Sequence, residues 1–131
     1  MNNEQRTMGK ILSFVDLNAW QEGHKLVLMT YKQTLTFPER EKFCLLPQMN
    51  RAVVSITSNI AEGFTQFGAK DKINFYYIAK ALLTELQNQF IICRDLDYIN
   101  KEVFTRLWEQ SVIVHKLITG IIKGVSNFHS S

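Results

Sequence analysis

Apolar and aromatic side chains recur along this chain at alternating spacings of three and four residues, the period of one face of an α-helix rather than of a strand. The first line is Leu17, Trp20, His24, Val27 and Tyr31. It predicts a helix over 16–35 with this line facing the core. Asp16 is its expected N-cap, since a carboxylate there can accept from the free amides of the first turn. Phe37-Pro38 ends it, because proline drives the residue before it out of the helical region. Pro38 to Leu46 reads as a connection with one helical turn around Glu39-Arg40-Glu41. A second helix is predicted over 47–62, opened by Pro47 at a position where its missing N–H costs nothing. Leu46, Met49, Val53, Ile56 and Ile60 form its apolar stripe, and Gly63 is its expected left-handed stop.

The third helix is predicted over 69–99, with Phe75, Ala79, Leu82, Leu86, Cys93 and Leu96 along its core side. Asn100 separates and caps a fourth helix over 101–125, striped by Phe104, Leu107, Ser111, Val114, Ile118, Ile121 and Val125. The tail from Ser126 to Ser131 is expected to fray. Four amphipathic helices with short connections predict an all-α, antiparallel up-down four-helix bundle as a single domain over residues 1–131. A length of 131 residues fits one core. The 46% hydrophobic content excludes a disordered chain, and two prolines with six glycines argue against a turn-rich β-sandwich.

The third and fourth helices carry more apolar surface than one bundle needs. Ile73, Tyr77 and Ile91 lie opposite the third helix's core line, with Ile92 between; Trp108, Val112, Ile113 and Leu117 add a similar excess on the fourth. A helix apolar nearly all round is buried on both sides. A second copy of the chain is the expected cover, with Ile73, Tyr77, Ile91, Ile92, Trp108 and Val112 as candidate oligomer contacts.

On the second helix a polar line runs opposite the apolar stripe: Arg51, Ser55, Asn59 and Glu62, flanked by Ala52, Ser58 and Ala61. Serine and asparagine are weak helix formers on a free surface. Small residues admit a neighbouring helix, and Arg51 and Glu62 can form charged hydrogen bonds across a contact. The line, closed by Gly63, reads as a packing seam in preference to a solvated face.

Catalytic and metal-binding patterns are not found: the sequence has no glycine-rich phosphate loop, HExxH, GxSxG or metal-ligand spacing. The chain is expected to be non-enzymatic, with no cofactor and no metal. His24 reads as a structural imidazole on the core face, His115 lies beside the fourth stripe, and His129 is in the tail. Cys44 and Cys93 lack any CxxC or Cys/His cluster and read as reduced, buried thiols. The N-terminus, with charges at Glu4, Arg6, Lys10 and Asp16, does not resemble a signal peptide, and no window is apolar over the ~18–20 residues a membrane span requires. A cytoplasmic protein with no membrane partner is expected.

The net charge is +3, thinly spread: +1 over 1–37, 0 over 38–63, +2 over 64–80, −2 over 81–97 and +2 over 98–131. Lys70, Lys72 and Lys80 surround Phe67, Phe75, Tyr76 and Tyr77. A single chain makes a weak nucleic-acid footprint, but a ring of about five copies would gather roughly +15 and attract polyanions in a salt-dependent way.

The runs Phe14-Val15-Asp16-Leu17-Asn18-Ala19-Trp20-Gln21 and Phe37-Pro38-Glu39-Arg40-Glu41 resemble a small bacterial family. So, above all, does Arg51-Ala52-Val53-Val54-Ser55-Ile56-Thr57-Ser58-Asn59-Ile60-Ala61-Glu62-Gly63. This is the family of 23S rRNA intervening-sequence proteins, also called four-helix bundle proteins, and the resemblance extends over about residues 12–100. It implies a four-helix bundle assembled as a homopentameric ring. A related branch, the accessory variability determinant of diversity-generating retroelements, binds a reverse transcriptase and nucleic acid through a basic surface. Gly23, Lys80-Ala81 and a loop from Thr65 to Ala69 without the usual basic run depart from the family pattern.

The resulting expectation is a non-catalytic, oligomeric accessory protein that binds RNA or DNA through the assembled ring. Lys70, Lys72, Lys101, Arg106, Lys116 and Lys123 are its candidate phosphate contacts. The alternative is an adaptor that docks a reverse transcriptase or other protein without touching nucleic acid. A small-molecule binder is a third reading, with His24 and Ser111 as the polar groups offered to the bundle core.

Overall fold

The computed structural model describes residues 10–130, with side chains through Phe128. The expected absence of a leader in residues 1–9, and the side chain of His129, lie outside them. Four α-helices make up the fold: α1 (Asn18–Thr34), α2 (Leu45–Thr65), α3 (Ala69–Asp95) and α4 (Lys101–Ser130). Single 3-10 turns at Phe14–Asp16 and Glu39–Glu41 precede α1 and α2, and there is no strand among the described residues. Successive helices pack side by side and α4 also packs on α1, so the four enclose one core.

That core holds the predicted Met49, Val53, Ile56 and Ile60 of α2, and Leu107, Ser111, Val114 and Ile118 of α4. On α3 the stripe is rotated by about one residue from the expected line. Tyr76, Leu83 and Phe90 are buried with Ala79, Leu86 and Cys93, whereas Phe75 and Leu82 are half-buried and Leu96 is exposed.

The largest correction falls on α1. Its buried face is Ala19, Gly23, Leu26, Thr30 and Thr34, while His24 and Tyr31 of the predicted core line are exposed and Leu17, Trp20 and Val27 are half-buried. The small residues are what let α1 lie close to its neighbours. A Cβ built on Gly23 would sit 3.1 Å from Thr57 Cγ2 and 3.7 Å from Ile60 Cδ1 on α2.

The helix ends follow capping chemistry, in part not as expected. Leu17 is the N-cap of α1 and makes no side-chain bond. Asp16 instead caps the turn before it: its Oδ2 accepts from the amides of Leu12 (2.9 Å) and Ser13 (3.1 Å). Pro47 lies in the first turn of α2, two residues inside its start, where a missing N–H removes no intrahelical bond.

Gly63 does not stop α2, which continues to Thr65. α3 ends at Asp95, with Asp97 in the left-handed region (φ 61°) and the Tyr98 amide reaching back to the Cys93 carbonyl at 2.9 Å. Together with Asp97 N–H on the Arg94 carbonyl this is a Schellman motif, made by aspartate rather than glycine. Asn100 caps α4 as predicted, accepting from the Val103 amide at 2.8 Å. The tail does not fray at Ser126: α4 continues to Ser130.

A polar tie joins the α1–α2 connection to the α3–α4 turn. The Tyr98 hydroxyl donates to Glu41 Oε2 at 2.6 Å, and Glu41 Oε1 accepts from the Leu45 amide, the first residue of α2, at 3.3 Å. Both bonds favour the ionised carboxylate and hold Glu41 below the usual range, the tyrosine bond contributing most. The same bond raises the Tyr98 phenol. Phe37 (ring centroids 5.3 Å apart) and the Arg40 guanidinium (5.6 Å) cover the Tyr98 ring.

Candidate functional site

Three surfaces carry the residues singled out by the sequence. The first is the α2 line. Ser55 and Asn59 are half-buried beside α3, and Asn59 spends its amide on the Ser55 carbonyl one turn back, at 2.8 Å. Arg51 and Glu62 are exposed and make no hydrogen bond or ion pair among the described residues. Gln48, Arg51, Ala52 and Ser55 border a small cleft of about 130 Å3, with Leu82 and Glu85 of α3 opposite. Within one chain, therefore, the charged members of the predicted seam are not packed. The close approach of α2 to α3 falls instead at Gly63, where an added Cβ would meet the buried Tyr76 ring at 2.6 Å.

The second surface is basic. Of the six candidate phosphate contacts, Lys70, Lys101, Arg106, Lys116 and Lys123 are exposed. Lys72 is not free: its Nζ donates to the Phe64 carbonyl at 2.7 Å and the Gly63 carbonyl at 3.4 Å, closing the C-terminal end of α2. A cation there complements the helix dipole and satisfies carbonyls that have no partner within the helix.

The fold then does what linear charge counting could not. It brings α1, with net +1, beside α4, with net +2. Between them lies a cleft of about 260 Å3, lined by Met29, Lys32 and Gln33 of α1 and by Val103, Arg106 and Leu107 of α4, with no carboxylate in its lining. Lys101 and Arg106 border the next depression with Glu102 and Thr105. Lys32 was not among the expected contacts, because its positive neighbour is about 70 positions away in sequence. Further along, Lys25 is paired to Glu22 at 2.7 Å, which together with the Gln110 amide holds the Glu22 carboxyl below its usual range.

The third surface is apolar. Of the candidate oligomer contacts, Ile73 packs against the bundle's own core, and Trp108 is half-buried in a stack with Phe104, centroids 5.7 Å apart. Ile91 and Val112 are half-buried, while Tyr77 and Ile92 stand exposed. The uncovered stripe missed by the sequence reading is the outer face of α1: Leu28, Tyr31 and Leu35 are 59%, 41% and 84% exposed. Of these three, Tyr31 stood in the line assigned to the core, and Leu28 and Leu35 stood in no predicted face.

Among the described residues, the histidines, cysteines and Ser111 make no hydrogen bond to one another. His24 stacks in the open on Trp20, centroids 5.0 Å apart and planes 10° from parallel. Ser111 is satisfied within the chain, accepting from Gln87 Nε2 at 2.9 Å and donating to the Trp108 carbonyl at 2.6 Å. The core thus offers neither of the two polar groups expected for a small-molecule site. Cys44 is exposed rather than buried. Cys93 is buried against Met49, Sγ to Sδ 3.5 Å, and burial pushes its thiol up to about 12. No group of three potential metal ligands occurs among the described residues, and no helix there is long and apolar enough to cross a membrane.

Architecture and surfaces together define an all-α four-helix bundle. The sequence model of the family described as "23S rRNA-intervening sequence protein" matches residues 15–120, and the chain belongs to that family. A crystal structure of a protein of unknown function from the S23 ribosomal protein family of Bacteroides thetaiotaomicron is similar in fold, with a TM-score of 0.75. It is 23% identical, and the match covers 80% of this chain and 98% of that one. Among curated proteins none matches.

Proposed function

We propose that this protein is a non-catalytic accessory that binds nucleic acid by its sugar-phosphate backbone, using the α1–α4 face of an assembled cytoplasmic ring of up-down bundles. The observation that carries the reading is the meeting of α1 and α4. Together they hold net +3, equal to the formal charge of the whole chain. Lys32 and Arg106 flank a cleft without a carboxylate, and its floor of Met29, Val103 and Leu107 is apolar enough to accept a base edge. Contacts of this kind need only exposed cations, so binding is salt-dependent and largely blind to sequence. Assembly multiplies the field: the homopentamer implied by the family resemblance would carry roughly +15.

The test is a filter-binding titration of structured RNA and of single-stranded DNA over a range of salt. Lys32→Glu/Arg106→Glu should lower affinity at least tenfold at low salt and reduce the salt slope by about 2. No affinity at low salt would sink the reading. A protein adaptor, docking a reverse transcriptase or another partner, is the second reading. It is favoured by Phe43 and Phe67, aromatic side chains standing outward at the two ends of α2. An oligomer indifferent to nucleic acid that captures such a partner would replace the first reading with this one.

A further inference from the structure

We propose that the cleft between α1 and α4 holds one unpaired base, so that the nucleic acid this protein takes is single-stranded rather than duplex. The inference rests on the nucleic-acid reading above and deepens it, and the two can fail separately in the test below.

The cleft combines two chemistries. Lys32 and Arg106 are exposed at its rim, and neither is ion-paired among the described residues. Its floor is apolar: Met29 and Val103 are half-buried, and Leu107 is 2% exposed. A phosphate uses the rim and gains nothing from the floor. A duplex presents phosphates and sugars outward and keeps the faces of its bases stacked inside, so it also leaves the floor wet. An unpaired base brings an apolar face to the floor and carries its own phosphates to the rim.

Gln33 narrows the occupant further. It is half-buried in the lining, and its backbone carbonyl accepts from the Thr36 hydroxyl at 2.7 Å. Its side-chain amide makes no hydrogen bond among the described residues. An occupant that covers this amide must offer both a donor and an acceptor, or a polar group is left buried without a partner. An acyl chain offers neither, and a phosphate dianion offers acceptors alone. The free edge of every base carries a donor beside an acceptor, so Gln33 selects a base over other apolar anions without choosing among the four.

Size and shape agree. At about 260 Å3 the cleft falls just below the size at which sites for drug-sized ligands begin, ~300 Å3, which leaves room for one base. Toward the start of α1 it is closed by Gln110 of α4, whose amide donates to the Glu22 carbonyl at 2.8 Å and to Glu22 Oε1 at 3.3 Å. Toward the start of α4 it opens, and Arg106 is shared with the next depression, lined also by Lys101, Glu102 and Thr105. The strand therefore leaves the cleft past Arg106 and Lys101.

The experiment is fluorescence anisotropy of the full chain at low salt with three labelled probes: a DNA single strand, the duplex made from it, and an abasic strand of the same length. Charge alone favours the duplex, whose phosphates are denser, so the sign of the preference separates base capture from simple electrostatics. The single strand is expected to bind about tenfold more tightly than the duplex or the abasic strand, within the range one base contact contributes. Val103→Trp fills the floor and Gln33→Leu removes the amide, both without a change of charge. Each should lower affinity for the single strand severalfold and leave duplex affinity and its salt slope unchanged. Far-UV circular dichroism confirms the fold, and Gln33→Leu carries the test if Val103→Trp melts early. Lys32→Glu/Arg106→Glu should weaken all three probes alike.

A duplex or an abasic strand bound as tightly as the single strand would overturn the inference while leaving the nucleic-acid reading in place. So would a single-strand preference that ignores Gln33→Leu, since the base would then lie elsewhere. A free nucleoside monophosphate that binds as tightly as the strand would overturn it in favour of a mononucleotide pocket. Failure of all three probes to bind would defeat the proposed function, and this inference with it.

Discussion

Replacing Gly63 with alanine should destabilise the protein, although alanine is the better helix former. Gly63 lies inside α2, so exchange for alanine gains up to about 1 kcal/mol of helix propensity. The added Cβ would stand 2.6, 2.9 and 3.1 Å from three carbons of the Tyr76 ring, inside any van der Waals contact. That ring is buried and is not the free end of a flexible chain, so relief requires shifting α3 against α2 or moving Tyr76 off its rotamer. Overpacking of this kind costs about 1–3 kcal/mol. The upper part of that range, less the propensity gain, leaves a net loss of about 1–2 kcal/mol.

For a chain of this length each kcal/mol corresponds to roughly 3–5 °C of melting temperature. Urea unfolding at one fixed protein concentration, followed by far-UV circular dichroism, measures the effect, and a second background identifies its cause. In Tyr76→Leu the obstructing ring is gone, and Gly63→Ala should become neutral or stabilising, a coupling of about 2 kcal/mol. Had Gly63 been a left-handed stop, the penalty would be near 1 kcal/mol and the same in both backgrounds. Equal penalties, or a wild-type background stabilised by alanine, would refute the packing argument. Gly120→Ala and Gly124→Ala, whose Cβ positions meet no atom within 4 Å, serve as controls and should each stabilise by up to about 1 kcal/mol.

Two further outcomes follow from the same structure. In the native protein an aromatic disulfide reagent at neutral pH should titrate one fast thiol, Cys44, and reach Cys93 only on unfolding, since Cys93 is buried with its thiol raised to about 12; two equally fast thiols would contradict this. The Glu41 carboxyl is lowered on folding, so its contribution to stability is complete above its unfolded value of about 4.3 and disappears as pH falls through the folded one. The raised Tyr98 phenol works the other way: its contribution is complete below about 10 and is lost as pH rises through its folded value. Stability curves of wild type and Glu41→Gln should therefore separate near neutrality and converge in acid; a constant gap down to pH 2–3 would remove Glu41 from the account.

The sequence by itself determined the four helices, and with them the fold class, because helical periodicity and capping are local properties. Asn100 before α4, the turn at Glu39–Glu41, and the stripes of α2 and α4 all stand where the residues put them. Periodicity shows that a helix has an apolar face, but not what the face meets. On α1 the bulky line from Trp20 to Tyr31 drew the core assignment. In the bundle, the space between packed helices admitted Ala19, Gly23, Leu26 and Thr30, held Trp20 and Val27 at its edge, and left His24 and Tyr31 outside.

Gly63 shows the same limit. A glycine near a helix end suggests a stop, and only the Tyr76 ring arriving from α3 reveals a packing position. Charge behaves likewise, since a formal charge is read from sequence but its availability is decided by neighbours. Lys72 is consumed by the end of α2, while Lys32 and Arg106 meet across two helices that are distant in the chain. The tertiary structure alone decides which stripes and charges remain unspent, because that depends on which faces the four helices turn toward one another.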